Sequence, residues 1–461
     1  MSSVSTAQQP RFSASAPGRA AGRRSRVADT AMLLAGLGLG AVLALHFTSR
    51  GGGAPTNSAA WLTEIGRITG LVGTYVSALV VLLAARIPLI EREVGQDTLV
   101  RWHRVTGPYA IWFIVAHFVF ILLGYAGITN SGPLAQLWRF ITDVRWMLPA
   151  VAGYALFVLI GVTSYRQVRR RMRYEVWWVT HLYIYIGILL AFMHQVEMGQ
   201  AFVTHPLAKA FWIALIIGSL AVLAWFRWVL PVVRSRAAGL EVESVVRESS
   251  DTISIFVRGT GLNRWRTKGG QFFAWRFLTR DLWWHAHPFS ISASPTDDRL
   301  RITVRDLGDT SRALAELAPG TKVIAEGPYG VFTADARSGE HVLLIAGGVG
   351  VTPIRAVLED LPASTDVQVI YRVPNRESLI LWQELDQLAS QRPHTSVRYL
   401  VGSRREHPID ARTIAQMVPQ ASRRDWYVCG PQPLVNAVKA AAEVLGVPAE
   451  RVHHEEFVFL P

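Results

Sequence analysis

The chain has one cysteine in 461 residues, Cys429, so an intrachain disulfide framework and a cysteine-based metal cage are both excluded. Acid is scarce as well. There are 34 Asp and Glu against 47 Lys and Arg, a net charge of +13. Internal repeats and coiled-coil heptads are missing. A surplus of base can mark a nucleic-acid partner, but much of this arginine flanks apolar segments, where it reads as a membrane-topology signal; no nucleic-acid partner is expected. What the chain does have is apolar bulk: half its residues are hydrophobic, 16 are tryptophan and the mean hydropathy is +0.24. The length suits two or three domains.

Residues 1–28 are rich in Ser, Ala and Arg, contain Pro10 and Pro17, and are expected to form a disordered cytoplasmic tail. Six apolar runs follow, near 29–48, 60–84, 102–126, 146–165, 175–198 and 208–230. Each is long enough for a membrane helix of about 20 residues. The run after Arg23, Arg24 and Arg26 is too long and too late for a cleaved signal peptide, and further spans follow it. The connection after the second run carries Arg86, Arg92, Arg101 and Arg104, and that after the fourth carries Arg166, Arg169, Arg170, Arg171 and Arg173. The opposite side is poor in base, which puts both termini in the cytoplasm of a multi-pass cell-membrane protein. The membrane unit is expected over 29–236. From 238 to 335 the texture is short alternating runs such as Thr252–Val257 and Leu300–Val304, suggesting an antiparallel β-barrel. From 340 to 461 apolar strands alternate with helical patterns, the rhythm of an α/β parallel sheet.

Four histidines lie in the apolar runs: His103 and His117 in the third, His181 and His194 in the fifth. Their spacings of 14 and 13 residues correspond to roughly 20 Å along a helix, most of a hydrocarbon core about 30 Å deep. Ionisable groups at such depth default to a functional role. The third and fifth spans run the same way, so His103 would face His181 near the cytoplasm and His117 would face His194 near the outside. Neutral imidazoles are the usual axial ligands of b-type haem, so two stacked haems are expected. One detail resists ideal geometry. Fourteen residues return to within about 40° of the starting face, but thirteen land about 140° away. Local overwinding, or haems held at different azimuths, must absorb that offset.

This arrangement resembles the membrane core of the NADPH oxidase and ferric reductase flavocytochromes, and the resemblance runs from about residue 29 to 457. It implies bis-histidine haems that relay electrons, with the acceptor reduced at the outer haem edge. Arg67, in the Gly66–Gly70 segment, resembles a family arginine beside the outer haem that could hold a propionate or attract an anion. Family oxidases carry a further polar histidine one turn after the outer ligand of the third span. Ile121 stands there instead, which tilts the expectation away from a dedicated oxygen site. His46 and His205 are expected at the surface.

The His287-Pro288-Phe289-Ser290 run resembles the family's flavin signature, in which an extended strand lies along the isoalloxazine and the Ser290 hydroxyl reaches its reactive nitrogen. Arg305 offers a charge-assisted fork for the FAD pyrophosphate, and Gly308, Asp309 and Thr310 open a turn-to-helix start that favours an anion. The strand Leu343–Ala346 runs into Gly347-Gly348-Val349-Gly350-Val351-Thr352-Pro353. Glycines there let the backbone approach a pyrophosphate, and Thr352 and Pro353 open a helix. This is the ferredoxin reductase-like form of the nucleotide motif. Cys429-Gly430-Pro431 resembles the family element beside the nicotinamide, and Glu456-Phe457 the terminal element whose aromatic shields the flavin, although four residues extend beyond it. The residues expected at the reacting rings are therefore Ser290, Cys429 and Phe457. Arg372 and Arg404 are expected to favour NADPH over NADH by pairing with a 2′-phosphate.

The resulting expectation is a six-helix membrane bundle followed by a flavin β-barrel and a nucleotide-binding α/β domain. Electrons would pass from cytoplasmic NADPH or NADH through FAD and two b haems to an extracytoplasmic acceptor, a ferric chelate or another one-electron acceptor. A superoxide-forming oxidase, and a haem conduit to a partner protein or quinone, are the alternatives.

Overall fold

A computed structural model of the protein describes residues 19–49, 54–203, 205–306 and 308–456. Six helices are long and apolar enough to cross a membrane: Arg26–Ser49, Ser58–Ala84, Thr98–Ile128, Met147–Ser164, Val176–Met198 and Pro206–Ala237, here spans 1 to 6. Many of their apolar side chains, such as Leu33, Leu37, Trp112 and Leu189, point outward rather than into a protein core. An all-round apolar helix is expected to do this where lipid is the solvent. The helix carrying span 1 begins at Arg19, inside the segment expected to be disordered. Its Ala- and Arg-rich start has high helix propensity, and the apolar run behind it supplies the nucleus. Residues 1–18 lie outside the described part.

Small residues decide how the spans approach. On span 2, a Cβ added at Gly66 would sit 2.8 Å from Ile121, and at Gly73 2.9 Å from Phe113, both on span 3. On span 4, a Cβ at Gly153 would sit 2.7 Å from the Gly187 carbonyl of span 5. Close backbone approach through small residues is the usual packing device in lipid, where no hydrophobic drive pushes helices together. Two helices between spans were not legible in the sequence: Pro88–Val94 after span 2, and Pro133–Asp143 after span 3.

Among the described residues, the remainder of the chain carries eleven strands with helices between them. β1 (Glu241–Arg247), β2 (Thr252–Arg258) and β5 (Arg299–Arg305) make one antiparallel sheet. β3 (Phe272–Phe277), β4 (His287–Ser290) and β6 (Val323–Tyr329) make a second, in the order β4-β3-β6. What was expected as one closed barrel is thus seen as two three-stranded sheets, joined by isolated bridges at Ile291–Ile302 and Glu241–Lys322. Alternation fills the space between them with Ile255, Phe273, Trp275, Phe277 and Ile302, all fully buried.

β7 (His341–Gly347), β8 (Asp366–Val373), β9 (Thr395–Val401), β10 (Asp425–Gly430) and β11 (Val452–Glu456) form a parallel sheet in the order β11-β10-β7-β8-β9. The strands are apolar on both faces because both are covered: Leu344 and Tyr371 pack on one side, Ile345 and Trp426 on the other. The order reverses between β7 and β10. Ligands of open α/β sheets bind in the crevice at such a switch point.

Candidate redox sites

Spans 3 and 5 bring the four membrane histidines together as two pairs. The ring centres of His103 and His181 are 6.1 Å apart, and those of His117 and His194 are 6.4 Å apart. A first-row metal bound by an imidazole on each side, with bonds of about 2.0 Å and about 1.15 Å from ring centre to nitrogen, would separate the centres by about 6.3 Å. Both pairs fit that spacing. The Nδ1 of His103 donates to the Val80 carbonyl at 3.1 Å and that of His117 to the Gly66 carbonyl at 2.7 Å, both on span 2. Such bonds fix the ring and leave Nε2 as the ligating nitrogen. Among the described residues no group of three or more His, Cys, Asp or Glu could hold a metal ion. Two protein donors suit a metal that brings its own equatorial ligands, as haem iron does.

Span 5 is α-helical throughout, without a 3-10 or π segment across its 13-residue spacing. The two pairs close with different geometry, their rings inclined at 64° and 36°. The His117–His194 pair borders an apolar cavity of about 310 Å³ that is also lined by Arg67, Ile121 and Tyr154. Arg67 is paired with Glu64 at 2.8 Å, and Glu64 also meets His46 at 3.2 Å. His46 is only 6% exposed and lines the same cavity, which corrects its expected place at the surface; His205 is exposed as expected. Span 1 runs to Ser49, so His46 is a helix residue facing span 2, not a loop residue.

On the flavin face, β4 pairs in register with β3, setting Ser290 opposite Phe272 and His287 opposite Trp275. His287 is buried, and among the described residues its Nε2 has no hydrogen-bond partner. Burial, with His285 and Arg276 alongside, lowers its pKa to about 4, so the ring is neutral. An orphaned buried donor and a strand carrying Phe289 and a buried Ser290 hydroxyl suit the edge of a flat polar ligand. The expected pyrophosphate contacts are already partly engaged within the protein. Arg305 is paired with Asp251 at 2.7 Å, and the Gly308 amide is bonded by Asp306 and Ser311, each at 3.0 Å. Asp309 and Thr310 do begin a helix, Asp309–Ala315.

At the switch point, β7 ends in Gly347 and β10 in Gly430, and the two backbones nearly touch: a Cβ at Gly430 would lie 3.1 Å from the Gly347 Cα. A Cβ at Gly350 would be tighter still, 2.2 Å from the Cys429 carbonyl oxygen. Gly348, with φ +56°, opens a short 3-10 turn into the helix Val351–Asp360, of which Thr352 and Pro353 form the buried first turn. The Cys429 side chain is fully buried in the sheet core, and that burial pushes its thiol up. Arg372, on β8, has a buried Nε without a partner; burial and the neighbouring Arg404 both lower its pKa. Two cations this close call for an anion. Phe457 lies outside the described residues.

Two junctions that sequence reasoning missed tie these sites together. At the first, Trp177 stacks on His181 at 5.2 Å, Trp178 meets His285 at 6.3 Å, and His285 meets His287 at 4.9 Å. The paired tryptophans at 177–178 and 283–284, each near a histidine, were the available signal. At the second, the fully buried Glu326 of β6 accepts from Arg227 of span 6 at 2.7 Å and from the Tyr329 hydroxyl at 2.9 Å. Arg86, after span 2, and Arg276 of β3 stand 3.6 Å away. A third contact joins the flavin sheets to the parallel-sheet domain, where Arg301 grips Glu384 at 2.7 and 2.9 Å.

Three family descriptions match successive parts of the chain: "Ferric reductase like transmembrane component" over residues 69–192, "FAD-binding domain" over 238–333 and "Oxidoreductase NAD-binding domain" over 344–440. Together the three matches follow the domain architecture of the ferric reductase/NADPH oxidase family. Its six candidate spans and these matches support a multi-pass membrane protein that carries an FAD-binding domain and an oxidoreductase-type NAD-binding domain. Curated relatives match its reductase portion. The 3-ketosteroid-9-alpha-monooxygenase ferredoxin reductase component of Rhodococcus rhodochrous is 30% identical over 233 residues, 48% of this chain and 66% of that protein. The flavohemoprotein of Xylella fastidiosa is 29% identical, over 41% of this chain and 51% of that protein. The chain thus spans less than two thirds of the length of these relatives. Among solved structures, a ferredoxin NADP+ reductase from Neisseria gonorrhoeae with bound FAD and NADP is 17% identical, with a TM-score of 0.41 over 47% of this chain and 96% of that one. An Amycolatopsis cytochrome P450 reductase is 20% identical, with a TM-score of 0.40 over 47% of this chain and 68% of that one.

Proposed function

We propose that this protein carries electrons from NAD(P)H, through FAD and two membrane-embedded b haems, to a one-electron acceptor on the far side of the membrane, a ferric chelate being the first candidate. The observation that carries the reading is the pair of imidazole couples, whose 6.1 and 6.4 Å spacings suit a metal clasped between two rings. When bound, the flavin accepts a two-electron hydride and releases single electrons, which the haems relay. The chain's residues do the rest. His103 with His181, and His117 with His194, would hold the two irons, with the His103 and His117 rings oriented by carbonyls of span 2. The strand His287–Ser290 orients the flavin, with Arg305 and Gly308 toward its pyrophosphate. The glycines 347, 348 and 350, with Gly430, let a dinucleotide approach the switch point, and Arg372 with Arg404 favours a 2′-phosphate. No side chain needs to act as nucleophile. Both termini lie in the cytoplasm, with domains 29–236, 238–335 and 340–461.

The apolar Ile121 on the wall of the outer cavity favours a metal chelate or other outer-sphere acceptor over a dedicated oxygen site. The test is reduced-minus-oxidised spectroscopy of the purified protein while NADPH is titrated against ferric chelates and oxygen. Two b-haem signals and a ferrous yield exceeding superoxide support the reading. A protein without a Soret band refutes it.

A further inference from the structure

The loop between β3 and β4 carries an aromatic surface that no cofactor site explains. Leu278, Trp283 and Trp284 are 44%, 60% and 44% exposed, within seven residues of one another. Among the described residues, the other exposed large apolar side chains from β1 onward, Val246, Trp382 and Val444, are scattered singly. The loop is held firmly from behind: Leu282 is buried in the flavin-domain core, and the Trp284 indole N–H donates to the Asp281 carbonyl at 3.1 Å. The tryptophans are therefore presented outward by a fixed frame.

Span 5 gives the height of that frame. His285, on which Trp284 stacks at 5.1 Å, meets the ring of Trp178 at 6.3 Å. Trp178 is only two residues inside the apolar stretch that begins at Val176, about 3 Å along a helix axis. The loop thus stands level with the entry of span 5 into the bilayer. The charges at this level are mostly basic: Arg280 in the loop, with Asp281 beside it, and Arg166, Arg169, Arg170, Arg171 and Arg173 ahead of span 5. Tryptophan at the headgroup level, among arginines, is how proteins rest on a membrane surface.

We propose that the Leu278–His285 loop is a second membrane contact, in which Trp283, Trp284 and Leu278 sit in the headgroup zone of the leaflet next to the reductase module and Arg280 faces anionic lipid. The flavin strand His287–Ser290, which follows directly, is then braced on the bilayer as well as on the helices. The inference needs the spans and not the haems, so it stands apart from the proposed electron path.

The test uses the full chain, loaded with FAD, in vesicles of phosphatidylcholine with and without phosphatidylglycerol. A nitroxide is placed at Trp283→Cys, with Val444→Cys as the remote exposed control. The expected result is at least five-fold protection of position 283 from an aqueous nickel chelate relative to 444, with access to lipid-dissolved oxygen retained. Leu278→Cys provides a second reading should the first variant fold poorly. Equal nickel access at 283 and 444 overturns the proposal. So does protection from both reagents, which would mean that flavin or protein covers the loop.

Discussion

Replacing Glu326 with alanine is the sharpest way to separate the two halves of the electron path. Glu326 is fully buried and shared among Arg227 at 2.7 Å and Arg86 and Arg276 at 3.6 Å, whose side chains are 25%, 20% and 17% exposed. Removing one partner of a buried ion pair leaves uncompensated charge and costs about 3–5 kcal/mol. The Tyr329 hydroxyl loses its acceptor too, adding about 1 kcal/mol. Arg86 and Arg227 belong to the membrane domain and Glu326 to the flavin sheet, so most of the loss falls on the contact between them. A penalty of that size weakens docking by about three to four powers of ten. Stopped-flow mixing with NADPH resolves flavin bleaching from the haem Soret change. Flavin bleaching is expected to keep its rate, while the haem change slows at least ten-fold. If both phases slow together, Glu326 merely supports folding; if neither changes, the hub does not hold the modules together. Either outcome refutes the reasoning.

If each imidazole couple holds a haem as proposed, Gly70→Ala should remove the one at His117 and His194 and spare the other, because the new Cβ would lie 2.5 Å from the His117 Nδ1; haem content per protein, read by pyridine haemochrome, should fall by about half. Arg372→Ala should lower the preference for NADPH over NADH about ten- to a hundred-fold, the worth of one charge-assisted contact, as read from kcat/KM for the two dinucleotides. Glu91 is almost fully buried, and burial, opposed by Arg86, raises its pKa from 4.5 to about 8. Between those values the folded protein holds a proton that the unfolded chain has lost, so this contribution to stability falls as pH rises and levels off above about 8. The melting temperature of Glu91→Gln should accordingly drop less than that of the parent between about pH 6 and about pH 9; an unchanged slope would dismiss Glu91 as the titrating group.

The parts of this protein that were legible in its sequence are those whose signal is local. Six apolar runs appear as six spans, shifted by a few residues at their ends, because length against bilayer thickness is a one-dimensional property. The buried strand His341–Gly347 and the glycines behind it were equally readable, since a parallel strand covered on both faces is apolar along its whole length. The four histidines stood out because titratable groups are rare in such runs, and spacing alone brought them into pairs. The rest depends on distance in the chain. Glu326 and Arg227 are 99 residues apart, and nothing around either announces the other. His46 looked like a loop residue because its meaning lies in Glu64 on another helix.

The 13-residue spacing in span 5 shows why such information is absent from a periodic reading. Helical periodicity treats a span as an isolated rod and asks which side chains share a face. In this structure span 5 keeps its regular helix, yet His181 and His194 each reach a partner on span 3, at ring separations differing by only 0.3 Å (6.1 against 6.4 Å). The ring inclinations differ as well, 64° against 36°, so the two pairs do not face each other in the same way. A side chain with two rotatable bonds swings its ring across several ångströms at small cost, whereas unwinding a helix in lipid strands polar groups at several kcal/mol each. The cheaper adjustment prevails, and it belongs to the pair of helices and not to either one.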